Sequence, residues 1–191
     1  MMLSKIIHLT VFWCWWIFLI YWTFSALKVK QTAECQPPLA NLAYRVPLLS
    51  GGILLWLPTE RETMKMALTP QTDLVRVLGA ALCVLGLLVT LWARRVLADN
   101  WSSSVTLKQG HELIQSGPYR YARHLIYTGL VLMCLATALA SEELHCRLGC
   151  VFLFAGFWIK LSQEDSLLLR HFPNDYPYYR ARVKALIPFV L

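Results

Sequence analysis

Charge is what this sequence has least of. Only 15% of its 191 residues are Asp, Glu, Lys or Arg, and just 11 are acidic. Ordinary soluble domains carry about 25% charged residues, so the composition excludes a chain that is mostly solvated surface. Paired cysteines are lacking as well. Cys14, Cys35, Cys83, Cys134, Cys146 and Cys150 include no C-x-x-C, and the spacing of the last two matches no familiar metal site. Buried free thiols are the expectation. H-E-L-I-Q at 111–115 lacks the second histidine of a zinc-protease helix. No internal repeat, low-complexity stretch or separate soluble domain is visible.

What is abundant is apolar and aromatic. The chain is 57% hydrophobic, with eight Trp and eight Tyr and a mean hydropathy of +0.49. Trp and Tyr favour the membrane–water interface. The net charge of +7 is explained by positive loops on one side of a membrane, so no nucleic-acid partner is expected.

Apolar runs of about 20 residues span a bilayer. Ile6 to Leu27 is such a run, with Lys5 and Lys28 at its flanks and no small-residue cleavage site. It predicts a retained span. A polar link over 28–41 carries Pro37-Pro38, expected to end any helix before it. Leu42 to Leu57 is a weaker span, interrupted by Arg45, Pro47 and Gly51-Gly52, and expected to bend. A polar connection follows from Pro58 to Asp73. Leu74 to Leu97 is a third span, with Arg94-Arg95 placed to snorkel and Gly79, Ala80, Ala81 and Gly86 offering a close-packing face. Leu125 to Ala140 and Leu144 to Leu161 form a helical hairpin across Ser141-Glu142-Glu143. From Ser162 onward the tail is amphipathic.

The expected fold is therefore an all-α integral membrane protein with about five transmembrane helices and an amphipathic C-terminal segment. It forms a single membrane domain over 1–191, with three spans in 1–97 and the loop, hairpin and tail in 98–191. Loops 28–41, 94–124 and 162–191 hold eleven Lys and Arg, against four in 1–5, 58–73 and 141–147. That bias predicts that the first set faces the cytoplasm.

The densest polar stretch, His111 to Gly129, sets three tyrosines, two arginines and two histidines against the start of the fourth span. Polar groups at such a boundary are costly unless satisfied. They form either a ligand site or an interfacial aromatic belt. Lys160, Glu164 and Asp165 lie on the same predicted side. Lys160 and Glu164, four residues apart, share a helix face, as an ordinary ion pair or as two halves of a site.

A family resemblance joins these pieces. Asn100-Trp101-Ser102, His111 with Leu113-Ile114, G-P-Y-R-Y-A-R-H at 117–124, Tyr127 and Gly129 form its first part. Glu164-Asp165, Leu168, Phe172, Tyr176, Tyr179, Arg182-Val183 and Pro188 form the second. Together they resemble the isoprenylcysteine carboxyl methyltransferase family and, more distantly, the phospholipid N-methyltransferases. The resemblance covers about half the chain, from Trp92 to Phe189, and it is the two-part pattern that is specific. It implies membrane helices around a cytosol-facing pocket for S-adenosylmethionine and a lipid-open groove for a prenyl-type acceptor. Carried over, the cofactor lies against His111, Glu112, Leu113, Ile114, Tyr119, His124, Leu125, Ile126 and Tyr127, with Glu164 at its methionyl end. Lys160 stands where the family has an arginine facing the substrate carboxylate. No residue is required as a general base, because a carboxylate acceptor is already ionised near neutral pH.

Three letters depart from the family. Leu125 replaces a proline suited to the first helical position, Asp165 replaces a glutamate, and Lys160 replaces the two-pronged arginine. The reading that results is an S-adenosylmethionine-dependent methyltransferase acting on a lipidic, isoprenylcysteine-like carboxylate. It would sit in a bacterial inner membrane or the endoplasmic reticulum, among membrane lipids. An NADPH-dependent reductase of the sterol-reductase type, using Arg120, Arg123 and Arg182 for phosphates, and a non-catalytic scaffold are the other two readings.

Overall fold

The computed structural model describes residues 2–27, 29–57, 72–141 and 143–190. Lys28, most of the polar connection expected over Pro58 to Asp73, and Glu142 of the hairpin lie outside them. Six α-helices are present among the described residues: α1 (Met2–Ala26), α2 (Pro38–Trp56), α3 (Asp73–Leu97), α4 (Leu125–Ala140), α5 (Leu144–His171) and α6 (Asp175–Arg182). The protein is an all-α integral membrane protein. Helices α1, α2, α3 and α5 are long and apolar enough to cross a membrane. At 1.5 Å per residue, α4 is about 24 Å long, short of the roughly 30 Å hydrocarbon core. It is instead the most enclosed helix, burying ten of its 16 residues.

Two helix pairs dominate the packing, α3 with α4 and α2 with α5, while α1 lies along α3. Small residues set both close approaches. A Cβ on Gly86 would stand 2.6 Å from the Gly129 carbonyl oxygen, and one on Gly51 would stand 2.7 Å from that of Gly149. The contact face of α3 runs through Gly79, Cys83, Gly86 and Thr90, all buried, whereas Ala81 is exposed. The expected small-residue face thus keeps its glycines but turns away from Ala81, as helical spacing of four, three and four residues demands. Large apolar side chains such as Trp13, Phe24, Leu49 and Leu88 point outward, as lipid contact requires.

Three features differ from the sequence expectations. Pro38 opens α2 rather than closing a preceding helix; at a first turn its missing N–H costs nothing. As the expected single span requires, that helix continues through Pro47. Helix α5 runs to His171, ten residues beyond the predicted end, so Glu164 and Asp165 sit inside it. Arg94 does not snorkel. It is 3% exposed, donates to the carbonyls of Ala98 (2.6 Å) and Ser25 (2.8 Å), and lies 4.6 Å from the Trp101 ring centre.

Two short strands, β1 (Thr32–Cys35) and β2 (Thr106–Lys108), pair antiparallel. They join the links that follow α1 and α3, so the polar segments 29–37, 98–124 and the end of α5 gather at one end of the bundle.

Candidate functional site

The loop entering α4 is shaped by Gly117, whose φ of +59° favours glycine over residues with a side chain. A single 3-10 turn over Gly117–Arg120 then aims Tyr119 inward, and its hydroxyl donates to the Ala93 carbonyl at 3.2 Å. The chain reaches α4 at Leu125, which is buried in the main core. Helix α4 therefore starts where the absent proline would have started it, with apolar burial fixing that first residue.

The inward face of α5 meets this loop through two adjacent carboxylates that turn to different partners. Glu164 accepts from the Tyr127 hydroxyl at 2.6 Å, lies 3.4 Å from His124 Nδ1, and stands 3.9 Å from the Lys160 ammonium. Asp165 receives Arg123 Nη2 at 2.8 Å and His124 Nε2 at 2.7 Å, together with the Tyr176 hydroxyl. His124 thus bridges both acids. Burial pulls its pKa down, but the hydrogen bonds with Asp165 and Glu164 outweigh burial and leave it above the ordinary histidine value. The two carboxylates thus shift the ring toward the imidazolium. Its ring stacks on Tyr127, centre to centre 5.7 Å, and Tyr127 stacks on Phe157 at 5.3 Å.

Arg123 also holds the C-terminal segment, donating to the carbonyls of Val183 and Arg180. Backbone bonds from Arg123 and His124 to Lys184 and Ala185, each 2.9 Å, extend the same seam. Thr128 adds a 2.7 Å bond to the Leu186 carbonyl, and the Tyr179 hydroxyl donates to the Tyr119 carbonyl at 2.6 Å. Burial holds the pKa values of Tyr119, Tyr176 and Tyr179 above the ordinary phenol value, so all three remain donors.

Between α5, the start of α4 and the wall following α3 lies a cavity of about 130 Å³. Of the residues expected at the cofactor, His111, Tyr119, His124, Ile126, Tyr127 and Glu164 line it. Glu112 is exposed, its backbone N–H meeting Asn100 Oδ1 at 3.4 Å. Leu113 packs into the cluster of Tyr176, Tyr179 and Val183. Ile114 and Leu125 belong to the main core. Lys160 lies behind the lining, 7% exposed. Its ammonium donates to the Ser103 carbonyl at 2.8 Å and sits 5.5 Å from the ring centres of both Tyr44 and Tyr127.

Two polar atoms on lining residues have no hydrogen-bond partner although they are buried: His111 Nδ1 and Arg123 Nε. Burial, with His171 and Lys30 nearby, lowers the His111 pKa, so this ring is neutral. Unsatisfied buried groups are costly, and a ligand with complementary groups would satisfy them. Ser102, Ser104 and Thr106 also line the cavity. Of these, Ser104 and Thr106 carried no signal in the sequence. Among the described residues no group of three or more His, Cys, Asp or Glu is arranged to hold a metal ion.

Residues 74–175 match the phospholipid methyltransferase family, and that stretch carries both carboxylates and most of the cavity wall. The chain is also similar to the protein-S-isoprenylcysteine O-methyltransferase of Saccharomyces cerevisiae, at 28% identity over 122 residues. That alignment covers 62% of this chain and 51% of the yeast protein, so the chain spans about half the length of that relative. With more than half of its residues inside the family match, and with the cavity built from them, this chain belongs to the phospholipid methyltransferase family.

Proposed function

We propose that the chain is an S-adenosylmethionine-dependent methyltransferase whose acceptor is a lipidic carboxylate of the isoprenylcysteine type. The observation that carries this reading is the cavity itself. A carboxylate, Glu164, forms one side, the unpartnered His111 Nδ1 and Arg123 Nε lie on the lining, and the whole sits at the polar end of a membrane bundle. Family membership and similarity to an isoprenylcysteine O-methyltransferase support the same conclusion.

S-adenosylmethionine bears an ammonium, a carboxylate and an adenine, and when bound it supplies a methyl on a sulfonium. Both signs of partner are available for it. Glu164, a carboxylate on the cavity lining beside Tyr127 and His124, suits the ammonium. Arg123 Nε suits the carboxylate. The donors of Tyr119 and His124, the other candidates, are engaged by Ala93, Asp165 and Glu164. His111 offers one nitrogen to the adenine or ribose, and Ile126 and Leu107 give an apolar wall.

Lys160 would hold the acceptor carboxylate, an already ionised oxygen that needs no general base for the charge-quenching methyl transfer the cofactor would supply. Excluding water from that charge-quenching step strengthens its electrostatics. Small-molecule sites usually enclose roughly 300–1,000 Å³. On this reading, filling the smaller cavity seen here requires the wall at 101–112 to move outward. The excess of Lys and Arg in the loops at this end favours a cytoplasmic orientation.

Calorimetry in detergent with S-adenosylmethionine, S-adenosylhomocysteine and NADPH tests the proposal. Saturable binding of the first two is expected. Binding of NADPH alone would support a reductase, and silence with all three would support a scaffold; either result overturns the reading.

A further inference from the structure

Helix α2 meets α5 along one face, and the meeting has a register. Tyr44, Gly51 and Leu55 are the buried residues of α2, spaced seven and four apart so that they share one stripe. A Cβ on Gly51 would stand 2.7 Å from Leu153 Cγ, and one on Gly156 would stand 2.7 Å from Leu48 Cγ. Each turn back along α2 is thus a turn forward along α5. The next step sets Tyr44 beside Lys160, 5.5 Å from ring centre to Nζ. The one after sets Ala40 beside Gln163, whose Nε2 donates to the Ala40 carbonyl at 3.0 Å. Fixed contacts therefore bracket Tyr44 on both sides, and its own hydroxyl donates to Asn41 Oδ1 at 3.0 Å.

Lys160 needs what such a ring supplies. Its buried ammonium has three N–H donors. Among the described residues the Ser103 carbonyl accepts one, at 2.8 Å, while the Glu164 carboxylate, 3.9 Å away, lies beyond hydrogen-bond reach. A buried cation so thinly paired is costly. Tyr44 and Tyr127 offset that cost, each ring centre 5.5 Å from Nζ, because the face of an aromatic ring within about 6 Å attracts a cation. Ring faces compete for the N–H donors far less than oxygen acceptors do, so the remaining donors stay available to an anion. They also fix a charge that rides on a flexible four-carbon stem. Tyr127 has other duties, a 2.6 Å bond to Glu164 and a place on the cofactor cavity. The ring of Tyr44 serves Lys160 and an apolar cluster with Val105, Leu107 and Leu167.

We propose that Tyr44 is a positioning residue for methyl transfer, holding the Lys160 ammonium where the acceptor carboxylate must arrive. The proposal rests on the reading that Lys160 receives that carboxylate. Helix α2 lies outside residues 74–175, so it brings to the acceptor a part that the family match does not contain. Lys160 then stands between two jobs of one helix. Glu164 turns toward Tyr127 and the cofactor cavity, and Gln163 turns toward α2. Without the Tyr44 ring the ammonium is free to settle toward Ser103 and Glu164, which weakens acceptor binding and leaves the cofactor's contacts in place.

Steady-state methylation of S-farnesylcysteine by the full chain in detergent, at saturating S-adenosylmethionine, tests it. Tyr44→Phe keeps the ring. Fluorinating that phenylalanine one, two or three times, by nonsense suppression, drains negative charge from the ring face with little change in size. Expected is a KM near wild type for Tyr44→Phe and a KM that climbs with each fluorine. The rise should reach about tenfold at three, the scale of one desolvated ring–cation contact, with kcat largely kept. Tyr44→Leu should reach a similar KM, while its Kd for S-adenosylhomocysteine, read by calorimetry, stays unchanged. If Tyr44→Leu does not fold, the shape-matched fluorinated series decides. A KM indifferent to fluorination, or one already raised in Tyr44→Phe, would overturn the role of Tyr44 and leave methyl transfer standing. A wild type that leaves S-farnesylcysteine unmethylated would sink the acceptor reading, and this inference with it.

Discussion

His124 and Asp165 meet at 2.7 Å between Nε2 and Oδ1, and that contact fixes the entrance of α4 against the last turns of the longest helix. Asp165 also takes Arg123 and Tyr176, so one carboxylate serves three donors. Removing a charge from a buried pair strands its partner and costs about 3–5 kcal/mol. Asp165→Asn is expected to lower the melting temperature in detergent by a correspondingly large amount. A variant melting like wild type would show that the three donors find other partners.

The same histidine makes stability depend on pH. Its folded pKa is raised above the unfolded value of about 6.5. The stabilisation is therefore complete below about 6.5 and is lost as pH rises through the folded value. Melting temperature should fall across the neutral-to-alkaline range in the wild type. The slope should flatten in His124→Gln, which a pH series of melts would read directly.

Glu164→Gln should weaken S-adenosylhomocysteine binding. A hydrogen bond to a charged group contributes about 1.5–3 kcal/mol, or roughly ten- to a hundredfold in Kd. Calorimetry on the folded variant measures it, and an unchanged Kd would remove Glu164 from the cofactor site.

Lys160→Met keeps an apolar stem but removes the ammonium that lies 5.5 Å from the Tyr44 and Tyr127 ring centres. Expected is a raised KM for an acidic acceptor with kcat largely kept, the signature of lost uniform binding. Lys160→Arg should recover much of it. Steady-state assays over acceptor concentration separate these outcomes.

Gly86→Ala drives a methyl toward the Gly129 carbonyl, 2.6 Å from the added carbon. The Gly129 oxygen and the Met133 nitrogen, at 3.0 Å, are both helix backbone, so α3 and α4 must part. Overpacking of this kind costs about 1–3 kcal/mol, to be read as a lower melting temperature. Gly52→Ala, with nothing within 4 Å, is the matched control.

The residues that announced themselves are those whose signal is local. Helices α1 and α3 are visible because their apolar runs are nearly unbroken. His111, Tyr119, His124, Tyr127 and Glu164 are visible because their spacing repeats a known pattern, and the fold brings all five to one cavity. Residues whose role comes from distant partners stayed hidden. Ser162-Gln163-Glu164-Asp165 reads as the exit from a span, yet α5 continues because those acids turn inward onto Arg123, His124 and Tyr127. Arg94 reads as a snorkelling cation, and only the arrival of Ser25 and Trp101 turns it into a buried one. Strands of three and four residues are too short to show an alternating pattern, and their pairing joins segments some 70 residues apart.

The seam between the α4 entrance and residues 180–186 gives the protein's last turns a role out of proportion to their distance from the cavity. Their carbonyls hold Arg123, His124 and Thr128 from outside, like a clasp closed behind a hinge. Trimming the chain after Tyr179, or pulling on it with a fused partner there, thus amounts to loosening the pocket from its far side.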